Sequence, residues 1–162
     1  MAMRIYREYQ LKFYLNARRY MIHSGLRGET RPQTWEFRLN VRVGRGAFIP
    51  FRTFEEAING FLSKYQDKLM NEVEPFDEFL PTLENVSVCF AREFHEIIRK
   101  LGGVLVRLET SKSPTRSYIL DLENMEDEKT QEVEDQILSQ VVDVVLDRLM
   151  EGVNEDSEGV TP

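Results

Sequence analysis

From Ile5 to Leu15 the odd positions read Ile, Arg, Tyr, Leu, Phe, Leu and the even positions Tyr, Glu, Gln, Lys, Tyr. This near period-2 alternation predicts a strand with one buried face. A stretch rich in Gly, Ser, Arg and Thr, from Ser24 to Pro32, reads as a polar loop of the kind that borders binding sites on a rigid scaffold. Phe37, Leu39, Val41 and Val43 then alternate with Glu36, Arg38, Asn40 and Arg42, which is the clearest strand pattern in the chain.

The period changes after Pro50. Phe54, Ala57, Ile58, Phe61, Leu62, Tyr65 and Leu69 recur at helical spacing, with Thr53 expected as N-cap and Glu55 and Glu56 in the first turn. A second helix is expected after Pro81, capped by Thr82, with Val86, Phe90, Phe94, Ile97, Ile98 and Leu101 on its apolar face and Gly102-Gly103 ending it. Val104 to Thr110 and Ser117 to Leu122 read as two further strands joined by Ser111-Lys112-Ser113-Pro114-Thr115, a turn composition.

The order is therefore β-β-α-α-β-β, which points to an α+β domain rather than a parallel sheet. A third helical segment is expected from about Glu128 to Met150, carrying Val133, Ile137, Val141, Val144, Val145 and Leu149 on one side. The tail from Glu151 to Pro162 is small, acidic and polar, and is expected to be disordered. The resulting division is one domain over 1–125, a helix over 126–150 packed on or between subunits, and a tail over 151–162.

Composition narrows the functional classes. The chain has 162 residues, 41% of them hydrophobic and 30% charged, and contains no apolar run of the roughly 18 residues that would span a bilayer. The N-terminus MAMRIYREYQ lacks the apolar run of a signal peptide, and a single cysteine, Cys89, suits a reducing compartment, so a cytoplasmic protein with no membrane partner is expected. A net charge of −7 argues against a nucleic-acid partner, although nine arginines between Arg4 and Arg45 make the first third locally basic.

Reactive groups are few. The two histidines, His23 and His95, have no spaced partners that would complete a zinc site. Cys89 sits beside an apolar helical stripe, where a free cysteine acts as a small hydrophobe. Gly44 and Gly46 form a G-x-G after a strand, but Ala47-Phe48-Ile49-Pro50 follows instead of a helix start, so they read as a turn. The acidic run from Asp121 to Asp135 reads as a solvated face and helix N-terminal charge.

One segment carries more. Phe76-Asp77-Glu78-Phe79-Leu80 followed by Pro81-Thr82-Leu83-Glu84-Asn85-Val86 resembles the connection between the two helices of the 6-pyruvoyl-tetrahydropterin synthase and 6-carboxytetrahydropterin synthase family, with Pro-Thr-x-Glu-Asn as its most specific part. Val104-Leu105-Val106-Arg107-Leu108-Glu109-Thr110 with Tyr118 resembles that family's valine-rich strand ending in Glu-Thr. The resemblance covers about residues 5 to 122 and leaves the third helix unaccounted for.

It implies a T-fold, in which a four-stranded antiparallel sheet carries two helices on one face and copies assemble into a barrel, here as a trimer or hexamer. It also implies that the family's three zinc histidines correspond to Arg19, Gln33 and Trp35, none of which is a normal zinc ligand. The family's catalytic cysteine falls in Gly28-Glu29-Thr30, and its Asp-His pair falls at Gln66-Asp67 or Asp67-Lys68. No metal, cofactor or catalytic residue is therefore expected. The pterin-anchoring glutamate corresponds to Glu109 and a ring-holding threonine to Thr82, although Thr82 is also a plain helix cap and Glu109 could pair with Arg107 or Arg116. The resemblance thus implies a protein that binds a pterin or purine-like ring without the zinc-dependent lyase reaction. Two alternatives stay open: a metal-independent enzyme rebuilt on Arg19, Glu29, Asp67 and Glu109, and a structural or interaction protein whose pocket is filled by side chains such as Trp35.

Overall fold

The computed structural model describes residues 8–44 and 50–122, together with residue 140. The elements are β1 (Tyr9–Arg19), β2 (Ile22–His23), β3 (Leu26–Arg27), β4 (Arg31–Val43), α1 (Phe51–Leu62), α2 (Leu83–Lys100), β5 (Gly103–Ser113) and β6 (Arg116–Asp121), with a 3-10 turn, Met70–Glu72, between the helices. β1, β4, β5 and β6 form a four-stranded antiparallel sheet in that order, and β2 and β3 form a separate small hairpin. The expected α+β plan holds. The expected C-terminal helix and acidic tail lie outside the described residues, apart from Gln140, which is helical.

Alternation along the strands sorts the two faces of the sheet. β1 buries Leu11, Phe13, Leu15 and Ala17, and β4 buries Trp35, Phe37, Leu39 and Val41. The odd face of the first strand is as expected, but the strand runs on to Arg19, because β4 begins at Arg31 and pairs with it from Arg19↔Arg31 to Tyr9↔Val41. Pairing with a long partner, rather than local composition, sets strand length. The expected loop from Ser24 to Pro32 supplies the turn and second strand of the β2–β3 hairpin, with Ser24 and Gly25 at φ of 52° and 75°, and gives way to β4 at Arg31.

α1 starts three residues earlier than its pattern suggests. Pro50 is its N-cap, with φ of −62°, and its carbonyl accepts the Thr53 N–H at 3.0 Å. Proline's fixed φ suits a helix start, so Thr53 is interior, and Glu55 and Glu56 fall past the first turn, which holds no acid. The helix ends at Leu62, yet Tyr65 stays in the core, 5.7 Å from Phe61 and 5.0 Å from Phe90 between ring centroids. Its hydroxyl donates to the Glu74 carbonyl at 3.0 Å. α2 follows its pattern, and Gly102 at φ of 88° ends it.

Both helices lie on the odd face of β1 and β4, and their rings fill the layer between. Phe90 packs within 5.2 Å of Phe37 and 5.0 Å of Phe61, and Phe94 within 5.5 Å of Phe37. Helix and sheet approach closely at Gly103, where an added Cβ would meet Ile98 at 3.0 Å and Val41 at 3.1 Å. Among the described residues the other face carries no helix. Its cross-strand rows are polar apart from Ile119: Lys12, Arg38, Glu109 and Ile119 form one, and Gln10, Asn40, Arg107 and Asp121 another.

Candidate functional site

Thr82, Arg19, Trp35, Gln33, Lys112 and Glu84 converge where α2 begins, at one end of the sheet. Thr82 Oγ1 accepts the Asn85 N–H at 3.1 Å, and Asn85 Nδ2 donates to the Leu80 carbonyl at 2.8 Å. The Pro-Thr-x-Glu-Asn segment is therefore a cap that ties the incoming chain to the helix it starts. Arg19, on the last position of β1, donates from Nη1 to the Pro81 carbonyl at 2.8 Å and lies over the Trp35 ring, 5.4 Å from its centroid. Gln33 Nε2 donates to the Lys112 carbonyl at 2.8 Å, joining the start of β4 to the end of β5.

Electrostatics here are cationic. Burial lowers the pKa of Arg19, with Glu84 opposing that shift. Burial also lowers the pKa of Lys112, with Arg19 and Arg116 adding to the effect and Glu84 opposing it. Lys112 and Glu84 carry no sequence signal that marks them as site residues. Glu84 stands inside the capping motif, and Lys112 is two positions beyond Thr110 in β5, but no local pattern links either to Arg19.

Glu109 is elsewhere. A register shift in the β4–β5 pairing makes Val41 face Leu105 while Asn40 faces Arg107, so Val106 is an extra residue in β5. Beyond this bulge Leu108 and Thr110 turn to the core, and Glu109 turns to the helix-free face opposite Arg38 and Ile119. Its side chain is 20% exposed, and Arg107 Nη2 is 3.9 Å away, too far for a hydrogen bond. Glu109 and Thr82 thus lie on opposite sides of the sheet within one chain.

The chain after α1 runs along the β1 edge. Asp67 N–H donates to the Asn16 carbonyl and Arg18 N–H to the Lys68 carbonyl, each at 2.8 Å. An open cavity of about 520 Å³ lies there, lined by Asn16, Ala17, Arg18, Pro32, Gln33, Thr34 and Asp67. Glu29 is instead exposed and faces Arg31 at 3.4 Å. The four residues of the rebuilt-enzyme alternative, Arg19, Glu29, Asp67 and Glu109, therefore form no single cluster in one chain. His23 and His95 are both exposed. Burial pushes the half-buried Cys89 thiol up to about 11, which disfavours the nucleophilic thiolate.

Comparison with known proteins decides the family. The sequence profile of 6-pyruvoyl tetrahydropterin synthase matches residues 9–147. The chain belongs to the 6-pyruvoyl tetrahydropterin synthase family. The fold agrees: the synthase of Caenorhabditis elegans superposes with a TM-score of 0.60 at 11% identity, covering 71% of this chain and 94% of that one. That of Plasmodium falciparum superposes with a TM-score of 0.52 at 13% identity, covering 70% and 96%. No curated protein matches the chain.

Within this family member, the three positions that the sequence resemblance pairs with zinc ligands do not suit a metal. Arg19 is itself a cation bonded to a carbonyl, Gln33 is committed to the β5 backbone, and Trp35 has only an N–H to offer and is fully buried. Among the described residues no group of three or more His, Cys, Asp or Glu converges as a metal site. No described helix is long and apolar enough to cross a membrane.

Proposed function

We propose that this family member binds a pterin or purine-like ring at Glu109 without the zinc-dependent lyase reaction. The observation that carries the reading is the state of Glu109. It is a half-buried carboxylate on the sheet that accepts no hydrogen bond among the described residues, although Arg107 lies 3.9 Å away and Arg38, opposite it, acts on it electrostatically. Two parallel N–H donors of a ring edge would meet its two oxygens. The chemistry of Arg19, Gln33 and Trp35 supports the second half of the reading, since Lewis-acid polarisation needs ligands that these side chains do not supply.

Self-assembly belongs to the same proposal. Among the described residues no strand pairs with the outer edge of β6, or with the first half of the outer edge of β1. Joining β6 of one copy to β1 of the next would close the sheets into a trimeric or hexameric barrel and remove both edges. The helix-free face would then line the interior and place Glu109 near a neighbouring copy, in the cytoplasm.

The test is a fluorescence titration with 7,8-dihydroneopterin and neopterin, with and without added zinc, on this protein and on Glu109→Gln. Saturable, zinc-independent binding that is lost in the variant is expected. Equal binding by both proteins would sink the assignment of Glu109. Full burial of Trp35 favours a second reading, an interaction protein with a filled pocket, and failure of both proteins to bind any ring compound would select it.

A further inference from the structure

At the end of the sheet where α2 begins, several hydrogen-bond donors meet no acceptor among the described residues. The indole Nε1 of Trp35 is buried and meets no acceptor among the described residues, although the Arg19 guanidinium lies over the same ring. The Thr110 hydroxyl is also buried without a partner, two residues before Lys112 in β5. The Lys112 ammonium makes no hydrogen bond or ion pair among the described residues. Arg19 uses Nη1 for the Pro81 carbonyl and the Met21 sulfur, which leaves Nη2 and Nε.

Native proteins pair their buried donors, so unpartnered donors of this kind mark a place where an acceptor is missing. The charges point the same way. Arg19 and Arg116 both act on Lys112, and Glu84 is the opposing charge for Arg19 and Lys112, next to the positive end of the α2 dipole. Lowered pKa values at Arg19 and Lys112 mean that each cation is held where an added anion would relieve it.

We propose that Arg19 and Lys112 form an oxyanion site that takes the carboxylate or phosphate group of a small ligand at the rim of the Trp35 indole. Arg19 supplies two parallel N–H donors and Lys112 a point charge, the combination suited to a planar carboxylate or a phosphate oxygen. The site is independent of Glu109, which lies on the other face of the sheet.

Trp35 is the one tryptophan in the chain, so its indole N–H resonance reports on this place alone. The full-length protein is titrated with inorganic phosphate, with 6-carboxypterin and with uncharged pterin, and the indole resonance is followed at constant ionic strength. A saturable shift with phosphate or 6-carboxypterin is expected, and the probe that binds more tightly identifies the preferred group. Lys112→Gln is expected to weaken that binding about tenfold, while Glu109→Gln leaves the phosphate titration unchanged. Absence of a saturable shift with either anion, or equal affinity in Lys112→Gln, overturns the proposal. A response to 6-carboxypterin that pterin reproduces and Glu109→Gln removes also overturns it, while leaving the ring reading intact.

Discussion

The guanidinium of Arg19 lies over the indole of Trp35, 5.4 Å from the ring centroid, and closes the end of the core where α2 begins. One side chain is half-buried and the other fully buried, so the pair is part of the packing and not surface decoration. Trp35→Ala should destabilise the protein by about 3–5 kcal/mol, the range for truncating a buried large aromatic. Arg19→Gln should cost about 1–2 kcal/mol through loss of the bond to the Pro81 carbonyl and of the stacking. Urea unfolding followed by circular dichroism checks both, and near-zero costs would show that this end of the core is not packed as described.

Thr82 separates a cap from a ligand contact. Thr82→Ala should lower stability by about 1 kcal/mol because the Asn85 N–H loses its acceptor, and Thr82→Ser should restore it. A cap alone leaves ring affinity unchanged in a folded variant. A drop in affinity at temperatures where Thr82→Ala remains fully folded would assign the hydroxyl a contact with the ligand.

Asp67 holds a left-handed backbone conformation, φ 60°, while its N–H bonds to β1. Asp67→Gly should change stability by no more than about 0.5 kcal/mol, because relief of strain offsets the greater freedom of the unfolded chain. Asp67→Val should cost more than 1 kcal/mol, roughly, since a β-branched residue fits this region poorly. Thermal melts of the two variants give the ordering, and a Val variant as stable as the Gly variant would contradict the geometry.

Stability should fall at alkaline pH. Burial raises the Cys89 thiol from its ordinary 9.0 to about 11 and the Tyr65 phenol from 10.0 to about 12. Between those values the unfolded chain has released protons that the native state retains, so unfolding free energy declines as pH rises. The contribution is full below pH 9.0 and erodes from there to about 12. Urea midpoints measured across this range should drift downward, and Cys89→Ala should flatten the first part of the drift. A flat profile in both proteins would mean that neither group is buried as described.

Much of the fold was legible because its signals are short-range. Phe37, Leu39 and Val41 alternate in sequence and face the core in β4, and Thr82 and Gly102 stand at the ends of α2 as their residue types require. α1 was misplaced at both ends. Pro50 outcompetes Thr53 as its start, and Tyr65 keeps its place in the apolar pattern after the helix has stopped, because Phe61 and Phe90 hold its ring in the core.

The sequence alone determined the class of fold, the family and the cap at Thr82, since period, turn chemistry and motif are each written in a few neighbouring residues. Tertiary structure decided the sites. One extra residue at Val106 chooses the face on which Glu109 stands, and that choice depends on pairing with β4. Arg19, Glu84 and Lys112 come from three distant segments and share one field only because β1, α2 and β5 end at the same place. No local pattern records that meeting, because packing and not chain proximity brings those charges together.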